Sequence, residues 1–222
     1  MARGSAGPDG GAAVTGSAAD FIPPNPTLGK LQAAAAGCRG CHLWLHATQT
    51  VFGEGPRKAD LMLVGEQPGD QEDRQGHPFV GPAGRLLDGA LGEAGIDRNR
   101  VYVTNAVKHF KFVTRELTQR RLHKKPSPSE VRACVPWLEQ EIRLVKPRVV
   151  VALGSTATQA LLGPAVKVTE HRGKPARSQW AGMVIPTVHP SSILRAPDAD
   201  RERARKQFVA DLKRVASYLS NR

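Results

Sequence analysis

Four short apolar runs, each followed by a helical pattern, constrain this chain more than any other feature. They are 60–65 (DLMLVG), 101–105 (VYVTN), 148–153 (RVVVAL) and 183–188 (MVIPTV). Each is bounded by turn residues, and each is apolar at consecutive positions rather than at alternate ones. A strand buried on both faces belongs in a parallel sheet with helices above and below it. Helical patterns fall at 84–94, 129–145, 155–162 and 201–219, the last with Phe208, Leu212, Val215 and Leu219 on one stripe. The second has an explicit start: Ser127 as N-cap, Pro128 at the first helical position and Glu130 three residues after the cap. The alternation predicts an α/β fold, a four-stranded parallel sheet between helices, built as a single domain from the 222 residues.

Residues 1–25 are rich in Gly, Ala and Ser and are expected to form a disordered tail, leaving 26–222 as the domain. The tail lacks the apolar core of an export signal, and no apolar stretch approaches the roughly 20 residues that span a bilayer. Three cysteines do not make a disulfide framework. The expectation is a cytoplasmic chain without a membrane partner, monomeric by default.

In open α/β sheets ligands bind beyond the carboxyl ends of the strands. The first run leads into Gly65-Glu66-Gln67-Pro68-Gly69, the second ends at Asn105, and the fourth leads into His189-Pro190-Ser191-Ser192. These polar groups are expected to converge on one cleft. Taken singly each has an ordinary use: Glu66 and Asp70 as caps of a turn, Phe79 as core, Asn105 in a loop, His189 on backbone groups.

Half of the formal net charge of +12 sits in residues 108–125, where Lys108, Lys111, Arg115, Arg120, Arg121, Lys124 and Lys125 face Glu116 alone. Focused positive charge suits a polyanion, because each cation that neutralises a phosphate releases condensed counterions. Cys38-Arg-Gly-Cys41 has the spacing of a metal-binding pair, Cys134 offers a third sulfur and His109 a nitrogen. Spacing leaves zinc and an iron-sulfur cluster both open, beside a redox pair with a separate buried Cys134.

Three segments carry a resemblance: GEQPGDQEDRQGHPFVGPAGRLLD (65–88), YVTNAVKH (102–109) and TVHPSSILR (187–195). They are similar, in order, to the motifs of the iron-sulfur uracil-DNA glycosylases of family 4. With the cysteines, the resemblance covers residues 28–220. Two departures resemble the UdgX branch of the same superfamily. His109 stands where family 4 has cysteine, and a long basic loop contains Gln119-Arg120-Arg121-Leu122-His123 where that branch has K-R-R-I-H.

The resemblance implies a uracil-DNA glycosylase fold with a [4Fe-4S] cluster on Cys38, Cys41, His109 and Cys134. It implies uracil-containing DNA, single-stranded by preference, as partner and free uracil as product. Phe79 would stack on the base, Asn105 would read its pairing edge, and Gln67 and Asp70 would add polar contacts. His189 would stabilise the departing uracil, and Arg120, Arg121, Lys124 and Ser191 would hold the DNA. His123, assisted by Glu66, would join covalently to C1′ of the sugar. The alternatives are a glycosylase that turns over with water, and a catalytically silent iron-sulfur module that binds DNA.

Overall fold

The computed structural model describes residues 16–220. Four strands, β1 (Leu61–Gly65), β2 (Val101–Asn105), β5 (Val149–Leu153) and β6 (Val184–Thr187), form one parallel sheet in the order β2-β1-β5-β6. They lie within a residue of the four apolar runs, and every position in them is buried. Leu61 is level with Val101 on one side and with Val149 on the other. The polar residues that follow the strands therefore leave the sheet along one edge.

Among the described residues eight α-helices accompany the strands: α1 (Leu28–Ala35), α2 (Asp70–Gln75), α3 (Pro82–Glu93), α4 (Pro128–Val145), α5 (Gly154–Leu162), α6 (Val168–His171), α7 (Pro190–Leu194) and α8 (Asp198–Ser220). Alternate strand residues sort the core into two layers. Leu61, Leu63, Val103, Val151 and Ile185 pack with α3 and α8, while Met62, Val64, Val150 and Ala152 pack with α4 and α5. The chain passes from β1 to β2 on one side and returns to β5 on the other. Neighbouring strands thus diverge in connection between β1 and β5, which opens a crevice at their carboxyl ends.

Two strands went unread in the sequence. β3 (Phe112–Arg115) and β4 (Arg120–His123) form an antiparallel hairpin inside the expected basic loop, with Phe112 paired to His123 and Arg115 to Arg120. Residues 16–25 are also built into the fold, whereas 1–15 of the expected tail lie outside the described residues. Ser17 caps a short turn at Ala18–Phe21, and buried Ala18 joins a third cluster with Leu31, Cys38, Cys41, Cys134 and Trp137.

Among the described residues no helix is long and apolar enough to cross a membrane. Phe208 of α8 is fully buried against the sheet. Replacing Phe208 with Ala is expected to cost about 3–5 kcal/mol in denaturant unfolding, and a cost under about 1 kcal/mol would mean that α8 is not part of the cooperative core.

Candidate active site

The carboxyl edge of the sheet opens on a cleft of about 840 Å³ lined by Glu66, Gln67, Phe79, Asn105, His123 and His189 among others. Backbone bonds Ala106 N to Gly65 O and Val107 N to Glu66 O hold the ends of β1 and β2 side by side. A side chain at Gly65 would place its Cβ 2.3 Å from Asn105 Oδ1 and 2.8 Å from the Phe79 ring. The bare glycine is what lets these two groups meet over the strand end. Phe79 itself is left-handed, with φ of 60°, a conformation that bulky residues rarely adopt. Its carbonyl lies where Gly84 of α3 would carry a Cβ, so helix and strained turn fit only because that position is glycine.

His189 N-caps α7. Its Nδ1 accepts from Ser191 N at 3.2 Å and is 2.8 Å from Ser191 Oγ. A backbone N–H can only donate, so Nδ1 is the acceptor and the ring proton is on Nε2. Burial pushes the His189 pKa down to about 4, against the pull of Glu66. The ring is therefore a neutral donor at ordinary pH. Gly154, at φ of 86°, gives it room where β5 ends.

Glu66 accepts from the Thr156 hydroxyl of α5 and lies 3.2 Å from His123 Nε2. Burial alone would raise its pKa, but the hydrogen bonds from His123 and Thr156, with a smaller electrostatic pull from the two imidazoles, outweigh it and hold it below the usual value. The cleft thus pairs a carboxylate with a half-exposed imidazole carried on a hairpin.

That hairpin is fastened at two places. The Gln67 side chain donates to Lys111 O and Lys124 O, both at 3.1 Å, and accepts from Lys111 N at 3.0 Å. Its amide braces the foot of both strands. The Arg121 guanidinium reaches Asp70 at 2.5 Å and Asp73 at 2.7 Å and lies over the rings of Phe110 and Phe112.

These contacts redistribute the residues singled out from sequence. Asp70 turns its carboxylate to Arg121 and Arg74, outside the cleft lining. Arg121 is clamped between carboxylates and rings rather than offered to a phosphate. Lys108 is fully buried and Lys111 is paired with Glu130, so three of the seven cations in 108–125 are neutralised internally. Arg120 is exposed on the hairpin, and Ser191 lines the cleft beside His189. Sequence reading passed over Glu72, which lines the cleft and accepts from Gly69 N and Gly81 N, tying the β1 turn to the start of α3. Its signal was present: a Glu three residues after a helix-starting glycine.

The three cysteines are buried in one cluster, with Lys108 N donating to Cys134 Sγ at 3.2 Å and Trp137 Nε1 to Cys38 Sγ at 3.4 Å. Burial pushes the Cys41 thiol up and the Cys134 thiol up to about 12, so a cation at the sulfurs is needed to hold them as thiolates. His109 is buried with its pKa lowered to about 4 by desolvation, which keeps a nitrogen lone pair free of a proton, and its Nε2 is 3.4 Å from Thr50 Oγ1. Sulfur donors that receive N–H bonds, with a neutral imidazole, fit a sulfur-ligated centre. Among the described residues no group of three His, Cys, Asp or Glu closes around one metal ion. Gly40, between the two cysteines, has the Ser17–Ala18 backbone where a Cβ would be.

Two measurements check this geometry. The His189 ring is expected to titrate near 4 by NMR with the proton on Nε2, and a midpoint near the ordinary 6.5 would mean an open, solvated ring. Arg121→Ala strips a partner from buried Asp73 and is expected to cost about 2–3 kcal/mol and expose the hairpin to limited proteolysis. An unchanged cleavage rate would mean that Gln67 alone holds it.

The sequence profile of the Uracil DNA glycosylase superfamily matches residues 52–213. A Type-4 uracil-DNA glycosylase of Thermotoga maritima is 38% identical over 185 residues, covering 82% of this chain and 89% of that protein. Proteins of the same name from Sulfurisphaera tokodaii and Pyrobaculum aerophilum are 34% and 37% identical, over 85% and 77% of this chain and 83% and 86% of theirs. With four parallel strands delivering Glu66, Asn105 and His189 to one cleft, the chain belongs to the uracil-DNA glycosylase superfamily.

Proposed function

We propose that this protein excises uracil from DNA. The observation that carries the reading is the meeting of Phe79, Asn105, Glu66 and the Nε2 proton of His189 in one cleft at the strand ends. A base within a duplex cannot reach such a cleft, so the substrate is a single strand or an extruded nucleotide. Phe79 stacks on the ring, and the Asn105 amide offers a donor and an acceptor to its pairing edge. As the bond from C1′ to N1 breaks, its electron pair leaves with uracil and negative charge spreads to the adjacent carbonyl oxygen. His189 Nε2–H donates to that oxygen, and the Glu66 carboxylate balances the positive charge on the sugar. Uracil then takes a proton from solvent.

Two acceptors can complete the reaction. The Type-4 relatives support water, which bonds to C1′ and passes a proton to Glu66 or solvent, leaving an abasic site and an enzyme free to turn over. A different acceptor is favoured by one observation, His123 Nε2 facing Glu66 at 3.2 Å. In that course Nε2 bonds to C1′ while its proton moves to Glu66, and proximity gives the imidazole a large effective concentration over solvent. The sequence features that support this second course are the basic hairpin and His109, both of which resemble the UdgX branch.

In the same reading Cys38, Cys41, Cys134 and His109 hold a [4Fe-4S] cluster. Its charge would keep the sulfurs ionised and its bonds would crosslink the N-terminal loop, the segment that follows β2, and α4. Arg120, Lys124 and Ser191 contact the DNA.

The test is a labelled single strand with one uracil, followed by release of the free base and by a denaturing gel. Released uracil supports the activity, and an untouched strand sinks it. A gel-retarded band that disappears in His123→Ala while release continues assigns the second acceptor. Release with turnover and no band assigns water. Replacing His189 with Ala is expected to slow release by about 100- to 1,000-fold. Because Glu66 acts ionised and its pKa is lowered, kcat/KM for release should be level from about pH 8 to about pH 5 and fall below that as the carboxylate protonates. A fall beginning near neutrality would overturn the assigned charge state.

A further inference from the structure

The hairpin has two faces of different character. Pairing places Phe112, Thr114, Arg121 and His123 on one face and Val113, Arg115, Arg120 and Leu122 on the other. The first is spent within the molecule, through the Arg121 clamp and the contact of His123 with Glu66. On the second, the Val113 and Leu122 side chains are 38% and 39% exposed although both are apolar. Beside them Arg115 and Arg120 form an exposed rung, and among the described residues neither has a carboxylate partner. Leu122 belongs to this face and also lines the cleft, so the strip runs without a break from the cleft rim toward the tip, where Leu117 is 92% exposed.

The geometry points to this second face as a track for the DNA strand that carries the extruded nucleotide, an inference that rests on the proposed action on DNA. A single strand presents phosphates along one side and sugars and base faces along the other. A rung of two unpaired guanidinium groups next to a rung of two apolar side chains complements both. Adjacent arginines in the sequence thereby divide the work: Arg121 holds the hairpin to the body, while Arg120, with Arg115 across the ladder, holds DNA. A patch that only solubilised a loop would have no reason to set two apolar side chains in the open between the arginines and the cleft.

The test is binding of the whole protein to a uracil-free oligothymidylate, followed by fluorescence anisotropy across a salt series. Each lost phosphate contact on a single strand lowers the slope of log K against log salt by about 0.7, so Arg115→Gln with Arg120→Gln should lower it by about 1.4. Lys146→Gln with Lys213→Gln removes the same charge from exposed positions toward the opposite edge of the sheet and should leave the slope unchanged. Val113→Ser should weaken binding several-fold at every salt concentration without altering the slope. The track is overturned if the hairpin pair keeps the wild-type slope, if the control pair loses as much, or if Val113→Ser binds as wild type does. Uracil release by the wild-type protein is measured in parallel. Its absence would overturn the glycosylase reading, whereas the slopes judge the track whether or not any base is released.

Discussion

The exit of β2 depends on a buried ion pair. Lys108 Nζ lies 2.5 Å from Glu141 of α4, with both side chains fully buried. A charge so placed persists only when every hydrogen-bonding site is used. Lys108 donates to Glu141, Thr104 Oγ1 and Asn105 O, while Glu141 also accepts from Tyr102, Thr104 and Gly53 N. The pair fixes the main chain at Asn105, and so the direction in which the chain leaves the sheet. The Lys108 N–H that meets Cys134 Sγ and the hairpin that begins at Phe112 both follow from that direction. The carboxylate also raises the Tyr102 pKa, adding to the larger effect of burial, which keeps the phenol a donor to Glu141.

The hairpin is held differently from the rest of the fold. The sheet and its helices are joined by apolar burial, which has no preferred direction. The hairpin instead stands on the Gln67 amide and the Arg121 guanidinium, whose bonds are directional. Directional fixings hold the His123 imidazole at one place against Glu66 while most of the hairpin's own surface stays in water.

The parts of the fold legible in the sequence are those whose burial leaves a continuous apolar run. β1, β2, β5 and β6 were readable for that reason, and the polar residues after them marked the cleft because a parallel sheet sends every strand end to one edge. α4 was readable from the Ser127 and Glu130 box, which the structure forms in both directions. β4 was not, because a four-residue strand of Arg, Arg, Leu and His has the composition of a solvated loop, and without a readable partner the four residues of β3 gave no hairpin. Arg121 looked like its neighbours for a similar reason: its partners Asp70 and Asp73 lie about fifty residues earlier, a distance that no local pattern spans. Lys108 and Lys111 shared that disguise. The pairing of Gln67 with the hairpin foot was hidden as well, since the residue lies in a turn where a ligand contact was the natural expectation.

The turn at Ala18–Phe21 has a consequence for handling the protein. Gly40 leaves room for the Ser17–Ala18 backbone to lie directly on the loop between Cys38 and Cys41, and Phe21 and Ile22 pack on the same cluster. A boundary drawn by composition at residue 25 removes that cover while sparing every sulfur. A chain trimmed there would keep its three cysteines but lose the layer that separates them from dissolved oxygen, so the two forms would differ first in shelf life under air.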